Sequence, residues 1–402
     1  MLVHWIWFSL LQGMNGRQKL QLLEHFHSPE DIYQLDRTIV KRVDFLGENA
    51  LAGILNKDLT AANRIIRDCA NQQIGVLAFT DTGFPERLRR IDDPPMVLYY
   101  RGALPAWDMQ PVIGVVGTRK ASSYGLRIAG QISAQIAACG GIVASGGALG
   151  IDTCALEGAG SQGQKTVAVL AGGLDNFYPK SNEPLFRRII ENGCLLSEYP
   201  PQTTAYKWNF LRRNRLISGI SNGVLVVEAP AISGALNTAR WAWSQGREVF
   251  AVPGNIDVES CAGSNNLIGD IAHAAVNGWS VMCHYEMDYP HVVKKAEPRL
   301  QQEESPWLMV AQQQEKPVPE SKADKINVDN PKDCPYSVKE KELPPLTEQE
   351  KAVVALLGAT PIAMEQLVAQ LEMSSGAVMS IITRLAVKGV VKNHPGKLIS
   401  LN

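Results

Sequence analysis

The sequence lacks several short motifs that mark common enzymes and metal sites. It contains no HExxH string and no CxxC pair, and its seven cysteines are scattered along 402 residues. Cys139, Cys154 and Cys194 fall in apolar segments, as expected for small core residues in a reducing cytosol. We therefore expect a cytoplasmic, non-enzymatic protein that holds no metal and no other cofactor.

Strong net charge and membrane-length apolar runs are also missing. The formal net charge is -1, so any nucleic-acid site must come from local clusters of basic residues. The apolar start, MLVHWIWFSLLQG, is shorter than the ~18 residues of a membrane span and carries no basic leader of the signal-peptide type. We expect it to form a buried first helix, and we expect no membrane partner.

Composition divides the chain into four segments. Residues 1–75 have the apolar spacing of short helices, with Ser28 as an N-cap, which predicts a small helical domain of the SAM or helix-hairpin-helix kind. Residues 76–287 are predicted to form a Rossmann-like domain, and the polar residues 288–345 a flexible linker. Residues 346–402 predict three helices and a hairpin, which together suggest a winged-helix-like domain.

Apolar strand-like runs alternate with helical patterns in the central segment. This alternation predicts an α/β fold with an extended, Rossmann-like parallel sheet covered on both faces. Ligands of such sheets bind at the carboxyl ends of the strands. The predicted strands are Val112–Val116, Ile142–Ser145, Thr166–Leu170, Leu195–Ser197, Val224–Glu228 and Val249–Val252.

Glycine-rich loops follow the first two of these strands. Gly117 and Arg119 lie in the first, VVGTRKASSYG, and Gly146 and Gly147 lie in the second, ASGGALGID. Glycine permits close backbone approach, and the N-terminus of the following helix offers free N–H groups to a phosphate. The first loop does not carry the GxGxxG dinucleotide fingerprint. We expect a phosphate-bearing ligand here; the alternative is that the glycines only form tight turns.

The third glycine loop and a basic segment add aromatic rings and cations. In the third loop, VAVLAGGLDNFYPKSN (167–182), Gly172 and Gly173 are followed by Phe177, Tyr178 and Lys180, a combination that suits stacked bases and a phosphate. The segment KWNFLRRNR (207–215) holds four basic residues and no acid, interleaved with Trp208 and Phe210. This pattern is typical of single-strand binding. The alternative is a solvated helix start, and we expect one or two of the four basic residues to be structural.

Other ionisable residues give weaker signals. Asp152 and Asp175 could form a carboxylate pair, but helix capping and a loop hydrogen bond explain them equally well. His273 and His284 stand alone in the sequence, and we expect them to be surface or core residues rather than bases.

Taken together, these strings resemble the DNA-processing protein A (DprA, or Smf) family along nearly the whole chain. The most specific are VGTRKASSYG, ASGGALGID, GGLDNFYPKSN, LLSEYPP, RRNRLISGISNGVLVVEA and SGALNTARWAWSQGREVFAVPG, in that order. This sequence departs from the family pattern at Leu149, where an arginine is usual, and at Leu211, which replaces a proline.

The resemblance implies a Rossmann-like domain that binds single-stranded DNA, forms homodimers, and delivers RecA recombinase to DNA during natural transformation. Arg119 and Lys180 match the family's pocket cations. Together, the loops, the basic segment and the resemblance give these expected DNA-contacting residues: Gly117, Thr118, Arg119, Ser145, Gly146, Gly147, Phe177, Lys180, Asn182, Lys207, Arg212, Arg213, Asn214 and Arg215.

Two other classes of function stay open at this point. A nucleotide hydrolase of the lysine-decarboxylase-like (LOG) type also uses glycine-rich loops on a Rossmann sheet. That group carries PGGxGTxxE at a helix start, whereas this chain has ISGALNTAR, without the second glycine and the glutamate. The other class is a pure interaction scaffold.

Overall fold

The computed structural model describes residues 1–298 and, beyond them, residues 353, 354, 356, 362, 363, 378, 381, 382, 385, 391–394 and 398–401. The chain divides into two compact units, Met1–Asp329 and Asn330–Asn402. Within the described residues, no helix is both long and apolar enough to cross a membrane.

Six helices open the first unit, as the spacing of apolar residues predicts. Side-chain caps fix several of their starts: Asn15 forms a reciprocal capping box with Gln18, and Ser28 caps the helix that begins at Pro29. The aromatic side chains of the first helix are buried in the core of this region. The helices are α1 (Leu2–Leu10), α2 (Gly16–Phe26), α3 (Pro29–Gln34), α4 (Arg37–Val40), α5 (Glu48–Leu55) and α6 (Thr60–Asn71).

A nine-stranded sheet follows, in the order β1-β2-β6-β5-β4-β3-β7-β8-β9. The six predicted strands are all present, with ends within two residues of those expected, and they run parallel. The first two strands pair antiparallel and extend one edge, while a two-residue strand ends the other. The strands are β1 (Gly75–Ala78), β2 (Val97–Gly102), β3 (Val112–Val116), β4 (Ile142–Ser145), β5 (Thr166–Val169), β6 (Cys194–Ser197), β7 (Gly223–Val226), β8 (Glu248–Ala251) and β9 (His273–Ala274).

Helices cover both faces of the sheet because alternate strand residues point to opposite sides. Val112 and Val116 of β3 pack into a core with α7, α11 and α12, whereas Ile113 and Val115 pack against α8, α9 and α14. The helices of this region are α7 (Glu86–Arg89), α8 (Ser123–Ala138), α9 (Ile151–Gly160), α10 (Glu183–Asn192), α11 (Lys207–Ile220), α12 (Gly234–Ser244), α13 (Ala262–Asp270) and α14 (Gly278–Met282).

The ordered core extends past residue 287, where the predicted linker begins. Val293 is buried in the same core as α8, and the Lys294 N–H donates to the Cys139 carbonyl at 3.3 Å. A linker start at 288 is therefore too early, because this segment contributes an apolar side chain and backbone hydrogen bonds. The rest of the predicted linker, 299–345, lies outside the described residues.

In the second unit, three strands form a sheet in the order β10-β12-β11. They are β10 (Ile362–Ala363), β11 (Val391–His394) and β12 (Leu398–Leu401), and both pairings are antiparallel. The predicted hairpin is therefore confirmed. Most residues of the three predicted helices lie outside the described part of the chain.

Candidate functional site

The glycine loops meet at one edge of the sheet, as the parallel strand order predicts. β3, β4 and β5 are neighbours, and their carboxyl ends lead into the three loops. A Cβ atom at Gly150 would lie 2.6 Å from the Thr118 carbonyl oxygen, so the second loop contacts the first. The Asn182 side-chain amide donates to the Gly147 carbonyl at 3.0 Å, which ties the third loop to the second.

The glycines of these loops are required by the protein's own packing. A Cβ atom would lie 2.5 Å from Ile151 Cγ1 at Gly117, 2.5 Å from the Arg213 guanidinium at Gly146 and 2.9 Å from the Thr203 carbonyl oxygen at Gly172. Side chains cannot be added at such distances without displacing these neighbours. Packing within the protein therefore accounts for glycine at these positions, as in the alternative that the glycines form tight turns.

Three of the loop N–H groups, those of Thr118, Gly146 and Ala148, are also engaged internally. The Asp152 carboxylate accepts from the N–H groups of Gly146 and Ala148, at 3.1 and 3.3 Å. The Thr118 N–H donates to the Glu228 carbonyl at 2.8 Å. Asp152 thus anchors the second loop, and burial raises the pKa of its carboxyl group, against the opposing charge of Arg213.

The N-terminus of α8, the predicted phosphate site, is occupied by a carboxylate of the protein itself. Ser122 caps the helix, and its hydroxyl donates to Glu228 Oε2 at 2.7 Å. The Ser122 N–H also donates to both carboxylate oxygens of Glu228, each at 3.2 Å. Glu228 is buried, so this anion stabilises the positive end of the helix from within. The N–H groups of Ser122 and Gly125 at this helix start are therefore used within the protein.

Several other expected DNA-contacting residues have buried side chains. The Ser145 hydroxyl donates to the Val115 carbonyl at 2.6 Å, and the Phe177 ring packs against Phe186 with centroids 5.5 Å apart. The Asn214 side-chain amide donates to the Gly234 carbonyl at 3.2 Å. The polar atoms and ring faces of these residues, and of Asn182, thus make contacts within the protein.

The Arg213 side chain is 3% exposed and donates hydrogen bonds to the backbone of both the second and the third loop. Its Nη1 donates to the carbonyl oxygens of Gly146, at 2.6 Å, and of Val169. Burial lowers the pKa of Arg213 to about 10, and the charge of Asp152 opposes that change. The guanidinium therefore acts as an internal cross-brace.

Arg215 is 2% exposed and belongs to a buried ion-pair network. Its Nε donates to Asp93 Oδ2 at 2.9 Å and its Nη2 to Glu198 Oε1 at 2.7 Å. Asp93 also accepts from the Gly16 N–H at the start of α2, which connects the N-terminal helices to α11. Two of the four basic residues of the segment 207–215, Arg213 and Arg215, are thus structural, as the sequence analysis allowed.

The groups that remain at the surface form a smaller cluster of one cation and two rings. The Arg119 guanidinium lies 4.9 Å from the centroid of the Phe210 ring. Tyr178, 38% exposed, meets the same ring edge-on with centroids 5.6 Å apart. We call Arg119, Tyr178 and Phe210 the aromatic–arginine cluster. It brings together side chains from the first loop, the third loop and α11.

Further cations and rings lie next to this cluster in the sequence. Lys180 is exposed two residues after Tyr178, and Trp208 is exposed two residues before Phe210. Lys207 is half-buried, and the Arg212 Nη2 lies 3.5 Å from Glu198 Oε1. Of the two adjacent aromatic residues, Phe177, an expected DNA contact, is buried, whereas Tyr178 is exposed.

Two family models match this chain and define the class of proteins to which it belongs. Residues 75–295 match the model described as DNA recombination-mediator protein A, and residues 338–397 match the DprA winged helix domain. The chain therefore belongs to the DNA recombination-mediator protein A (DprA) family.

Individual relatives agree with this assignment. The chain is 29% identical to protein Smf of Synechocystis sp., over 98% of this chain and 97% of that protein. It is 37% identical to DNA processing protein DprA of Bacillus subtilis, over 52% of this chain and 71% of that protein. The X-ray structure of DNA processing protein A from Streptococcus pneumoniae matches with a TM-score of 0.62 and 30% identity, over 70% of this chain and 98% of that one.

Proposed function

We propose that this protein binds single-stranded DNA at the aromatic–arginine cluster. The observation that carries the proposal is the position of Arg119 over the Phe210 ring, with Tyr178 against the same ring. Stacking of bases on aromatic rings contributes about 1–3 kcal/mol per base and tolerates any sequence. An arginine fork beside the rings can grip a phosphate oxygen pair, and Lys180 can add a mobile point charge.

In this proposal the buried residues act indirectly. Arg213 braces the second and third loops, and Asn182 ties the third loop to the second, so both hold Tyr178 and Arg119 in place. Lys207 and Arg212 extend the positive surface along α11. Arg212 and Glu198 form a long ion pair, at 3.5 Å, that is partly exposed to solvent. Because such pairs contribute little to stability, a DNA phosphate could replace Glu198 as the partner of Arg212 at small cost.

The same geometry supports a non-enzymatic role over a nucleotide hydrolase. A hydrolase needs a carboxylate or other base that can reach a water molecule beside the ligand. The buried carboxylates of this site, Asp152 and Glu228, accept hydrogen bonds from loop N–H groups and from the Ser122 hydroxyl instead. We therefore propose a binding protein that needs no cofactor.

Membership of a recombination-mediator family supports the further parts of the proposal. The protein would act in the cytoplasm, protect incoming single-stranded DNA, and load RecA recombinase onto it during DNA uptake. It would work as a homodimer formed through the Rossmann-like domain. The winged-helix segment would be a separable module, so a chain ending at Pro298 should keep its affinity for single strands.

A double-mutant cycle on labelled oligonucleotide tests the binding site. Arg119→Ala and Lys180→Ala should each weaken binding about 5- to 150-fold, the equivalent of 1–3 kcal/mol for a charged hydrogen bond. The double variant should show coupling if both side chains hold neighbouring phosphates. Arg90→Ala is the matched control, because Arg90, just after α7, is exposed and forms an ion pair with Glu86 of that helix.

Thermal melting separates loss of binding from loss of fold. Unchanged affinity for single-stranded DNA in the Arg119→Ala, Lys180→Ala double variant would contradict the proposed binding site. Equal affinity for single strands and for blunt duplex would contradict the preference for single strands. RecA loading is tested separately, by RecA-filament formation on DNA coated with this protein, and no acceleration over naked DNA would reject that part alone.

A further inference from the structure

Two histidines that stand alone in the sequence meet at the far edge of the sheet. His273 opens the edge strand β9, and His284 lies in a 3-10 helix, Cys283–Tyr285, that follows α14. Their ring centroids are 4.8 Å apart. His273 Nε2 also lies 3.0 Å from the carboxylate Oε2 of Glu248, the first residue of β8.

The core of the domain holds these side chains in place. β8 and β9 pair in parallel register with Phe250 opposite His273. The buried Phe250 ring contacts the His273 ring at 5.7 Å and the His284 ring edge-on at 5.0 Å. One well-packed aromatic side chain therefore orients both imidazoles toward the same point on the surface.

One possible ligand atom from each of Glu248, His273 and His284 lies within 4.8 Å of the others. Zinc is bound in proteins by imidazole nitrogens and carboxylate oxygens at about 2.0–2.2 Å, which places tetrahedral ligand atoms about 3.3 Å apart. The His273–Glu248 pair already has that spacing. His273 is 54% and Glu248 50% exposed at the side chain, so small rotations can bring the third ligand into range.

We propose that Glu248, His273 and His284 form a binding site for a divalent transition-metal ion of the zinc class. Two neutral imidazoles and one carboxylate match the preference of Zn²⁺, Ni²⁺ and Co²⁺ and do not match that of Mg²⁺ or Ca²⁺, which take oxygen ligands. The three residues leave one tetrahedral position for water or an external group. This site is independent of the proposed DNA-binding surface.

A bound ion would add a link between three segments at this edge of the sheet. β9 has only two residues and pairs with β8 alone, and His284 comes from a short helix after α14. An ion held by all three segments would resist fraying of this sheet edge. Binding to the folded state alone raises the stability by RT ln(1 + [metal]/Kd), so melting should shift upward with metal concentration.

Direct metal binding by the full chain tests the proposal. The protein is stripped with a chelator, exchanged into chelator-free buffer and titrated with Zn²⁺ by calorimetry, with Co²⁺ as a spectroscopic probe. We expect one high-affinity ion per chain and a visible Co²⁺ absorption band of a tetrahedral site. His273→Gln, His284→Gln and Glu248→Gln should each weaken Zn²⁺ binding at least tenfold.

Two neighbouring residues supply matched controls. His291→Gln removes an exposed histidine outside the cluster, and Cys283→Ser removes the exposed thiol next to His284. Both variants should bind Zn²⁺ like the wild type. The proposal is overturned if the stripped protein binds no Zn²⁺, if the three cluster variants bind it normally, or if Cys283→Ser alone abolishes binding.

Discussion

Replacing Arg215 with alanine tests whether this arginine belongs to the fold or to the ligand surface. The sequence places it among the DNA contacts, but the structure buries its guanidinium between Asp93 and Glu198. Removing it leaves the partly buried carboxylates of Asp93 and Glu198 without the cation they share, while Glu198 keeps its longer contact with Arg212, at 3.5 Å. The variant should therefore lose stability first, and it should lose DNA affinity only to the extent that it unfolds.

The magnitude follows from the burial of the three partners. Breaking a buried ion pair by deleting one side typically costs about 3–5 kcal/mol. Asp93 and Glu198 keep 20% and 15% of their side-chain surface, so water can partly hydrate them after the change. We therefore expect the lower end, about 3 kcal/mol, which corresponds to a melting temperature lower by about 5–10 °C.

Urea denaturation at pH 7, with Arg90→Ala as the control, measures this loss. Arg90 is 75% exposed in its pair with Glu86, and its removal should cost no more than about 0.5 kcal/mol. A loss below 1 kcal/mol for Arg215→Ala, or a folded variant without DNA affinity, would refute the structural role.

The pH dependence of the stability difference between wild type and Arg215→Ala gives a second check. Burial alone would raise the pKa of Asp93, but the charge and hydrogen bond of Arg215 outweigh it and hold this pKa below its usual value of 3.8. A carboxyl group with a depressed pKa stabilises the fold above its unfolded pKa, and this stabilisation is lost as pH falls through the folded pKa. The gap between wild type and Arg215→Ala should therefore narrow below about pH 4.

Three further changes can be measured by the same denaturation assay. Gly125→Ala places a Cβ atom where Glu228 Oε2 now lies and should cost about 2–3 kcal/mol, whereas Gly160→Ala meets no neighbour within 4 Å and should be neutral or slightly stabilising. Ser28→Ala removes an N-cap and should cost about 1 kcal/mol. Burial lowers the pKa of Lys19 to about 8, so the unfolded chain binds more protons between pH 8 and 10.5. The stability of wild type relative to Lys19→Met should therefore rise by about 3 kcal/mol across that range.

The central sheet is predictable from the sequence because its strands are buried on both faces. Continuous apolar runs such as Val112–Val116 have no other stable place in a soluble fold. The two edge strands carry a weaker signal: β9 has two exposed residues, and β1 has four residues, two of them only partly buried, and pairs antiparallel with β2. The sequence gives only a short signal for the end of this core, since Tyr289, Val292 and Val293 stand in an otherwise polar segment.

The loops that the sequence predicts to share a sheet edge do meet there, but several of the side chains expected to contact DNA are buried. Sequence order predicts which loops share an edge, and the structure brings Arg119 and Tyr178 together on Phe210. The sequence gives no sign that the carboxylate of Glu228, more than a hundred residues away, lies at the N-terminus of α8. Nor can local sequence decide which of two adjacent aromatic residues is buried, because that depends on the partner Phe186.

The salt dependence of binding distinguishes the surface in the structure from the wider set expected from the sequence. That set contains six cations: Arg119, Lys180, Lys207, Arg212, Arg213 and Arg215. Arg213 and Arg215 are buried and cannot neutralise phosphates, which leaves at most four. Each neutralised phosphate on a single strand contributes about -0.7 to the slope of log K against log salt concentration.

Four cations therefore limit the slope to about -3, whereas six would give about -4. Affinity should then depend on stacking as much as on charge, which fits a protein of net charge -1. Fluorescence anisotropy with labelled oligothymidine over a range of NaCl concentrations measures the slope, and Lys180→Ala should reduce it by about 0.7 if that lysine contacts one phosphate. A wild-type slope steeper than -4 would mean that cations other than Arg119, Lys180, Lys207 and Arg212 contact the strand, because these four cannot account for it.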